Sequence, residues 1–226
     1  MSEQQKAFIQ NITNRLGRPL ATTAPRHPFK GAPDFWHNYE LNLEDRISLF
    51  CDNWQKAGGH CFRFPTTEEA KQFIVEKAKE LKAQTLLLQN QPELLALGLP
   101  DSLPESHFTV WHPDNRDTLL AKAAGADIGI LIVDHGVAHT GTVVVTSSGD
   151  TGRSVSLLPT VFIAILPVNR LKTRLGEVLA GFDGKPREDF PAGIHFISGP
   201  SRSADIENDL TIGVHGPGVV FALLVG

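Results

Sequence analysis

Four short apolar runs limit what this chain can fold into. They are residues 128–133 (Ile-Gly-Ile-Leu-Ile-Val), 143–145 (Val-Val-Val), 161–166 (Val-Phe-Ile-Ala-Ile-Leu) and 219–225 (Val-Val-Phe-Ala-Leu-Leu-Val). Their β-branched and aromatic content reads as strand, and residues 128–133 read as a strand buried on both faces. Further strand candidates are residues 60–64, 85–88, 107–111 and 194–197. Helical stripes lie between them. Leu43, Ile47, Phe50, Cys51 and Trp54 form one, closed by Gly58-Gly59. Ala70, Phe73, Ile74, Ala78 and Leu81 form the next, opened by Thr66-Thr67-Glu68-Glu69 as a capping box. Pro92 and Gly98 bracket a short helix, Asp114 caps one through Leu119, Leu120 and Ala123, and residues 171–180 form another ended by Gly181. Strands alternating with helices predict an α/β domain: a largely parallel mixed sheet with helices on both faces, and some antiparallel pairing after residue 127.

Ahead of this domain, Phe8, Ile9, Ile12 and Leu16 share one helical face, and Gly17-Arg18-Pro19 stops that helix. Residues 17–41 carry Pro19, Pro25, Pro28 and Pro33 with Phe29, Phe35, Trp36 and Tyr39, an irregular connector able to stick to the body or to a partner. The expected organisation is residues 1–41 as helix and connector and residues 42–226 as the α/β domain.

Composition removes several function classes. No apolar run approaches the length of a membrane span, and the N-terminus lacks the apolar core of a signal peptide. A net charge of −4 argues against general nucleic-acid binding, although Lys6, Arg15, Arg18, Arg26 and Lys30 give the first 30 residues a basic bias. Cys51 and Cys61 are too few for a disulfide framework or an iron–sulfur cluster, so both read as core residues of a reduced, cytoplasmic protein.

Three polar clusters remain. Ser147 to Ser154 follows a strand and is almost entirely Ser, Thr, Gly and Arg. Such a loop exposes backbone N–H groups and hydroxyls at a sheet end, and Arg153 adds a fork suited to carboxylate or phosphate. The same composition fits a solvated hairpin turn. The run Ser198-Gly199-Pro200-Ser201-Arg202-Ser203-Ala204-Asp205-Ile206-Glu207 also follows a strand, and ligands gather at the carboxyl ends of strands in open α/β sheets. Ser147, Ser148, Gly152, Arg153, Ser198, Gly199, Ser201 and Arg202 are therefore the expected anion cradle. His139, Thr140, Gly141, Thr142 and Gly216 are the added ligand contacts, with Asp205 and His215 as proton carriers. Asp205 serves equally as a partner that ties down Arg202. Gly213-Val214-His215-Gly216-Pro217-Gly218 has neither dinucleotide-fingerprint spacing nor a following helix, and Gly181-Phe182-Asp183-Gly184-Lys185-Pro186 is not a P-loop. His135 and His139 have the four-residue spacing of helical zinc ligands, but Gly136 and the neighbouring strands argue against a helix, so no metal site is expected.

Taken together, Gly125-Ala126-Asp127, Ala138-His139-Thr140-Gly141-Thr142, Arg153-Ser154-Val155-Ser156-Leu157-Leu158-Pro159, the 197–207 run and Gly213-Val214-His215-Gly216-Pro217 resemble the LUD domain family. The short chain without clustered cysteines is similar to its lactate-utilisation C type. That resemblance implies a NagB/RpiA/CoA-transferase-like fold and a part in oxidising L-lactate to pyruvate beside iron–sulfur partners of the A and B types. It leaves the cofactor unnamed and places no cluster in this chain. Relatives of the fold include sugar-phosphate isomerases, CoA transferases and folate cyclo-ligases, so a free-standing enzyme is the alternative, and a structural adaptor built on residues 1–41 a third. His139 stands where many family members carry an acidic residue, which disfavours a carboxylate-nucleophile transferase.

Overall fold

The computed structural model describes residues 2–20, 40–112, 116–149, 151–204 and 210–226. It divides into Met1–Glu40 and Leu41–Gly226. In the first unit, helix α1 (Glu3–Arg15) starts at a capping box: Gln5 N donates to Ser2 Oγ and Ser2 N donates to Gln5 Oε1. Gly17, at φ +61°, follows its C-terminal cap Leu16. The connector with Phe29, Phe35, Trp36 and Tyr39 falls outside the described residues, as does Asp114.

The second unit runs through α2 (Leu43–Lys56), β1 (His60–Phe64), α3 (Thr67–Glu80), β2 (Thr85–Leu88), α4 (Pro92–Leu95), α5 (Leu99–Ser102), β3 (His107–Val110), α6 (Arg116–Ala124) and β4 (Ile128–Ile132). It continues with β5 (His135–Val137), β6 (Thr142–Ser147), α7 (Ser154–Leu157), β7 (Val161–Pro167), β8 (Leu171–Lys172), α8 (Leu175–Ala180), β9 (Gly193–Ile197), β10 (Arg202–Ser203), β11 (Thr211–Ile212) and β12 (Val219–Val225). A six-stranded sheet has the order β1-β12-β7-β4-β2-β3, and every pair in it is parallel. A second sheet, β8-β5-β6-β9, is mixed: β5 and β9 run antiparallel to β6, while β8 is parallel to β5. The α/β class, the largely parallel sheet and the later antiparallel pairing follow the sequence expectation.

The strand period of two explains the layering. Phe162, Ala164 and Leu166 of β7 face one side with Ala222 and Leu224 of β12, where they pack with Ile47, Phe50 and Trp54 of α2 and with Val143 and Val145 of β6. Val161, Ile163 and Ile165 face the other side with Leu223, beneath Ala70, Ile74 and Ala78 of α3. The main sheet is thus covered by helix α2 and the second sheet on one face and by α3 on the other. Caps fix the helix starts: Asp45 N donates to Asn42 Oδ1, and Glu69 N donates to Thr66 Oγ1.

Two expectations need correction. Residues 171–180 are not one helix. Leu171–Lys172 pairs with β5 as an extra strand, and the helix begins only at Leu175. Cys51 and Cys61 are not separate core thiols, because a disulfide joins them. The Gly58-Gly59 turn brings the end of α2 back to the start of β1 and leaves their Cα atoms 5.4 Å apart.

Asp127, from the first motif of the resemblance, holds two strand starts together. Its Oδ2 accepts from Gln84 N at 2.8 Å, Thr85 N at 2.9 Å and Thr85 Oγ1 at 2.8 Å. Burial pushes its pKa up, but the hydrogen bonds from Thr85 and Gln84 outweigh it and hold the carboxyl below its ordinary 3.8. A depressed carboxyl stabilises the fold above its unfolded value and loses that contribution as pH falls through the folded one. Asp127→Ala is therefore expected to cost about 2–3 kcal/mol near pH 7, by leaving two backbone donors unpaired. The cost should shrink below the ordinary value of 3.8. Urea unfolding from pH 7 to 2 checks this, and a pH-independent difference would contradict it.

Candidate functional site

Strand β6 buries Val143 to Val145 and then delivers Ser147 to the surface end of the second sheet. The loop after it folds on itself. Ser148 N donates to Thr151 O, and Thr151 Oγ1 donates to Thr146 O. Gln89, at the end of β2 and 2% exposed, has its amide facing Gly152. Oriented to satisfy both groups, it donates to Gly152 O at 3.2 Å and accepts from Gly152 N at 2.9 Å. Gly152 presses on the Trp111 indole so closely that a Cβ there would collide with it. Loop and main sheet are tied at this point.

A cleft of about 820 Å³ opens beside the tie. Trp111, Leu120 and Leu157 give it apolar wall, and Ser147, Arg153, His195 and His215 supply polar groups. No carboxylate lines it among the described residues. Ser154 Oγ and Trp111 Nε1, both of lining residues, are buried without a hydrogen-bond partner among the described residues. Burial pushes the pKa of His195 below its ordinary 6.5, and the Arg153 charge lowers it further. Both effects favour the neutral ring.

His195 escaped the sequence reading, and its position explains why. In the β6/β9 ladder Ser147 faces Gly193 and Val145 faces His195, so Ser147 and His195 are diagonal neighbours on one face. Gly193 has no side chain, and the imidazole crosses over it to bring Nε2 within 3.3 Å of Ser147 Oγ. A Cβ at Gly193 would lie 2.9 Å from that nitrogen and 3.1 Å from the hydroxyl. Only the strand register reveals this pairing; the nearest signal in the sequence is the Gly-x-His spacing of 193–195.

The expected cradle divides. Ser147, Ser148, Gly152, Arg153 and His215 line the cleft. Among the described residues the second loop is not part of the cleft lining. Ser198 Oγ lies 2.7 Å from Thr142 Oγ1, which is 2.7 Å from Thr140 Oγ1, a chain of hydroxyls away from the cleft lining. Gly199 packs on Ala57, and exposed Arg202 reaches the Gly58 turn. Gly141 sits against Asn53 and Trp54 of α2, and His139 is held through its backbone by Thr173 and Asn53. Ser201 exchanges backbone hydrogen bonds with Gly213 and Pro217 and packs near Gly216, which lines a neighbouring groove with Leu158 and Ile212. Asp205 lies outside the described residues. Among those residues no group of three or more His, Cys, Asp or Glu side chains is placed to hold a metal.

The family model for the LUD domain matches residues 47–225. This chain belongs to the LUD domain family. It is 34% identical over 220 residues to Lactate utilization protein C of Halalkalibacterium halodurans, covering 96% of this chain and 95% of that protein. It is 42% identical to the protein of that name from Bacillus licheniformis, covering 93% and 91%. Uncharacterized protein YkgG of Escherichia coli is 31% identical, with 93% of each covered. Among solved structures, a DUF162 family protein from Deinococcus radiodurans superposes with a TM-score of 0.58 at 16% identity, over 83% of this chain and all of that one. That likeness bears on the fold alone. No helix among the described residues is long and apolar enough to cross a membrane.

Proposed function

We propose that this LUD-domain protein is the non-iron–sulfur subunit of an L-lactate utilisation system and holds a small anionic or phosphorylated ligand in the Arg153 cleft. The names of its full-length relatives support the first half. One observation carries the second: the Arg153 guanidinium and the imidazoles of His195 and His215 line a single cleft with the hydroxyl-bearing Ser147–Ser148 turn. Such a lining favours anions through the Arg153 charge and the charge-assisted hydrogen bonds it can donate. In this reading L-lactate is oxidised to pyruvate with A- and B-type partner proteins that carry the iron–sulfur clusters, while this chain carries none.

The test is titration calorimetry with L-lactate, pyruvate and inorganic phosphate as probes. Removing a charge-assisted hydrogen bond costs about 1.5–3 kcal/mol. Arg153→Ala should therefore weaken binding of whichever probe the wild type takes by at least about tenfold, with an unchanged circular dichroism spectrum. Unchanged affinity would remove the cleft from the ligand's path. Native mass spectrometry of protein purified from its own cells without oxygen tests the assembly. A lone chain carrying an anion would favour a free-standing enzyme of the isomerase, transferase or cyclo-ligase kind.

A further inference from the structure

We propose that Ser147 and His195 form a nucleophile–base pair, and that the cleft performs acyl transfer to water on esters or thioesters of an acid with a second negative charge. Four observations bear on it. Ser147 Oγ and His195 Nε2 stand 3.3 Å apart, the reach of a hydroxyl to the base that takes its proton, allowing for the looseness of a site without substrate. Ser147 Oγ also reaches Gly193 O at 3.4 Å, a longer contact than the one to His195, whereas Ser148 and Thr151 bond each other at 2.9 Å and Ser154 Oγ has no partner among the described residues. The absent side chain of Gly193 leaves the pair room to meet across the strands. The same cleft is lined by Arg153, whose guanidinium fork suits a distal carboxylate. Burial and the Arg153 charge lower the His195 pKa, which favours the proton-free form that a base needs.

The chemistry closes without a further co-reactant beyond water. Ser147 Oγ forms a bond to the acyl carbon, and the carbon–sulfur or carbon–oxygen bond to the leaving group breaks. The Oγ proton passes to His195 Nε2 and from there to the departing thiolate or alkoxide. Water then attacks the acyl-serine and gives a proton to Nε2. Oγ leaves with that proton as the carboxylic acid is released. This activity stands apart from the lactate reading and neither needs nor excludes it.

The full chain is treated with a fluorophosphonate probe and digested for mass spectrometry, and its hydrolysis of mono-4-nitrophenyl succinate is compared with that of 4-nitrophenyl acetate. The expected adduct is on the Ser147 peptide. Labelling should vanish in Ser147→Ala and slow at least about 100-fold in His195→Gln, the usual share of a positioned base. The succinate ester should turn over at least about tenfold faster than the acetate, and Arg153→Ala should erase that preference. If His195→Gln loses the fold by circular dichroism, Gly193→Ala carries the test, because its Cβ drives ring and hydroxyl apart. Absence of an adduct at Ser147, labelling that ignores both His195→Gln and Gly193→Ala, or hydrolysis that survives Ser147→Ala would overturn the pair. Equal rates on the two esters would overturn the preference for an acyl group with a distal carboxylate.

Discussion

Gly141→Ala should destabilise the protein by more than about 3 kcal/mol, a large part of the 5–15 kcal/mol typical of a domain. Two independent costs add. Gly141 adopts φ +56°, where a side chain costs about 1 kcal/mol or more. A Cβ would also lie 2.5 Å from Trp54 N and 2.6 Å from Asn53 C, which are backbone atoms of α2 and not flexible side-chain ends. Overpacking against such a wall costs typically about 1–3 kcal/mol in a core. The helix would have to lift from the 138–141 turn, breaking the bonds from Asn53 Nδ2 to Ala138 O and His139 O. Urea titration followed by circular dichroism measures the loss. Gly149→Ala is the control, since nothing lies within 4 Å of a Cβ there. If both variants unfold at the wild-type midpoint, α2 does not rest on this turn.

Trp54→Ala ranks second, at about 3–5 kcal/mol for a large aromatic removed from a core. Trp54 is wholly buried, stacks on Phe50 with ring centroids 5.8 Å apart, and donates from Nε1 to His60 O at 3.1 Å. Trp54→Phe separates packing from hydrogen bonding. It keeps most of the ring and loses the donor to a part-buried carbonyl, for an expected cost of about 1–2 kcal/mol. Equal losses in the two variants would mean that the indole N–H, not the volume, holds α2 to the start of β1.

These positions also show what the sequence could reveal. The strands of the main sheet were readable because β4, β7 and β12 are buried on both faces and so are continuous apolar runs. Helix starts were readable because capping is local: Thr66 and Glu69 are three residues apart whatever the fold does. Failures occurred where a partner distant in sequence decides. Leu171 fits a helical stripe, yet β5 captures it as a strand. Cys51 and Cys61 gave no sign of facing each other until a helix end and a strand start set their geometry. That Ser147, Ser148, Gly152 and Arg153 share one cleft was legible because they belong to one loop. Ser198, Gly199, Ser201 and Arg202 lie outside its lining, because loop composition does not tell a turn that faces this cleft from one that packs on a helix, as Gly199 packs on Ala57. His195 needed the register of two antiparallel strands to be seen.

The place of β12 has a consequence for biosynthesis. Residues 219–225 insert between β1 and β7, so among the described strands of the main sheet the first in sequence has no neighbour until residues 219–225 have been made. Until residues 219–225 are made, residues 60–64 wait with their hydrogen-bonding edge open, and Phe62 and Phe64 lack the strand that belongs beside them. A nascent chain stalled before residue 219 should thus attract chaperones along β1, although every loop of the cleft has already been synthesised.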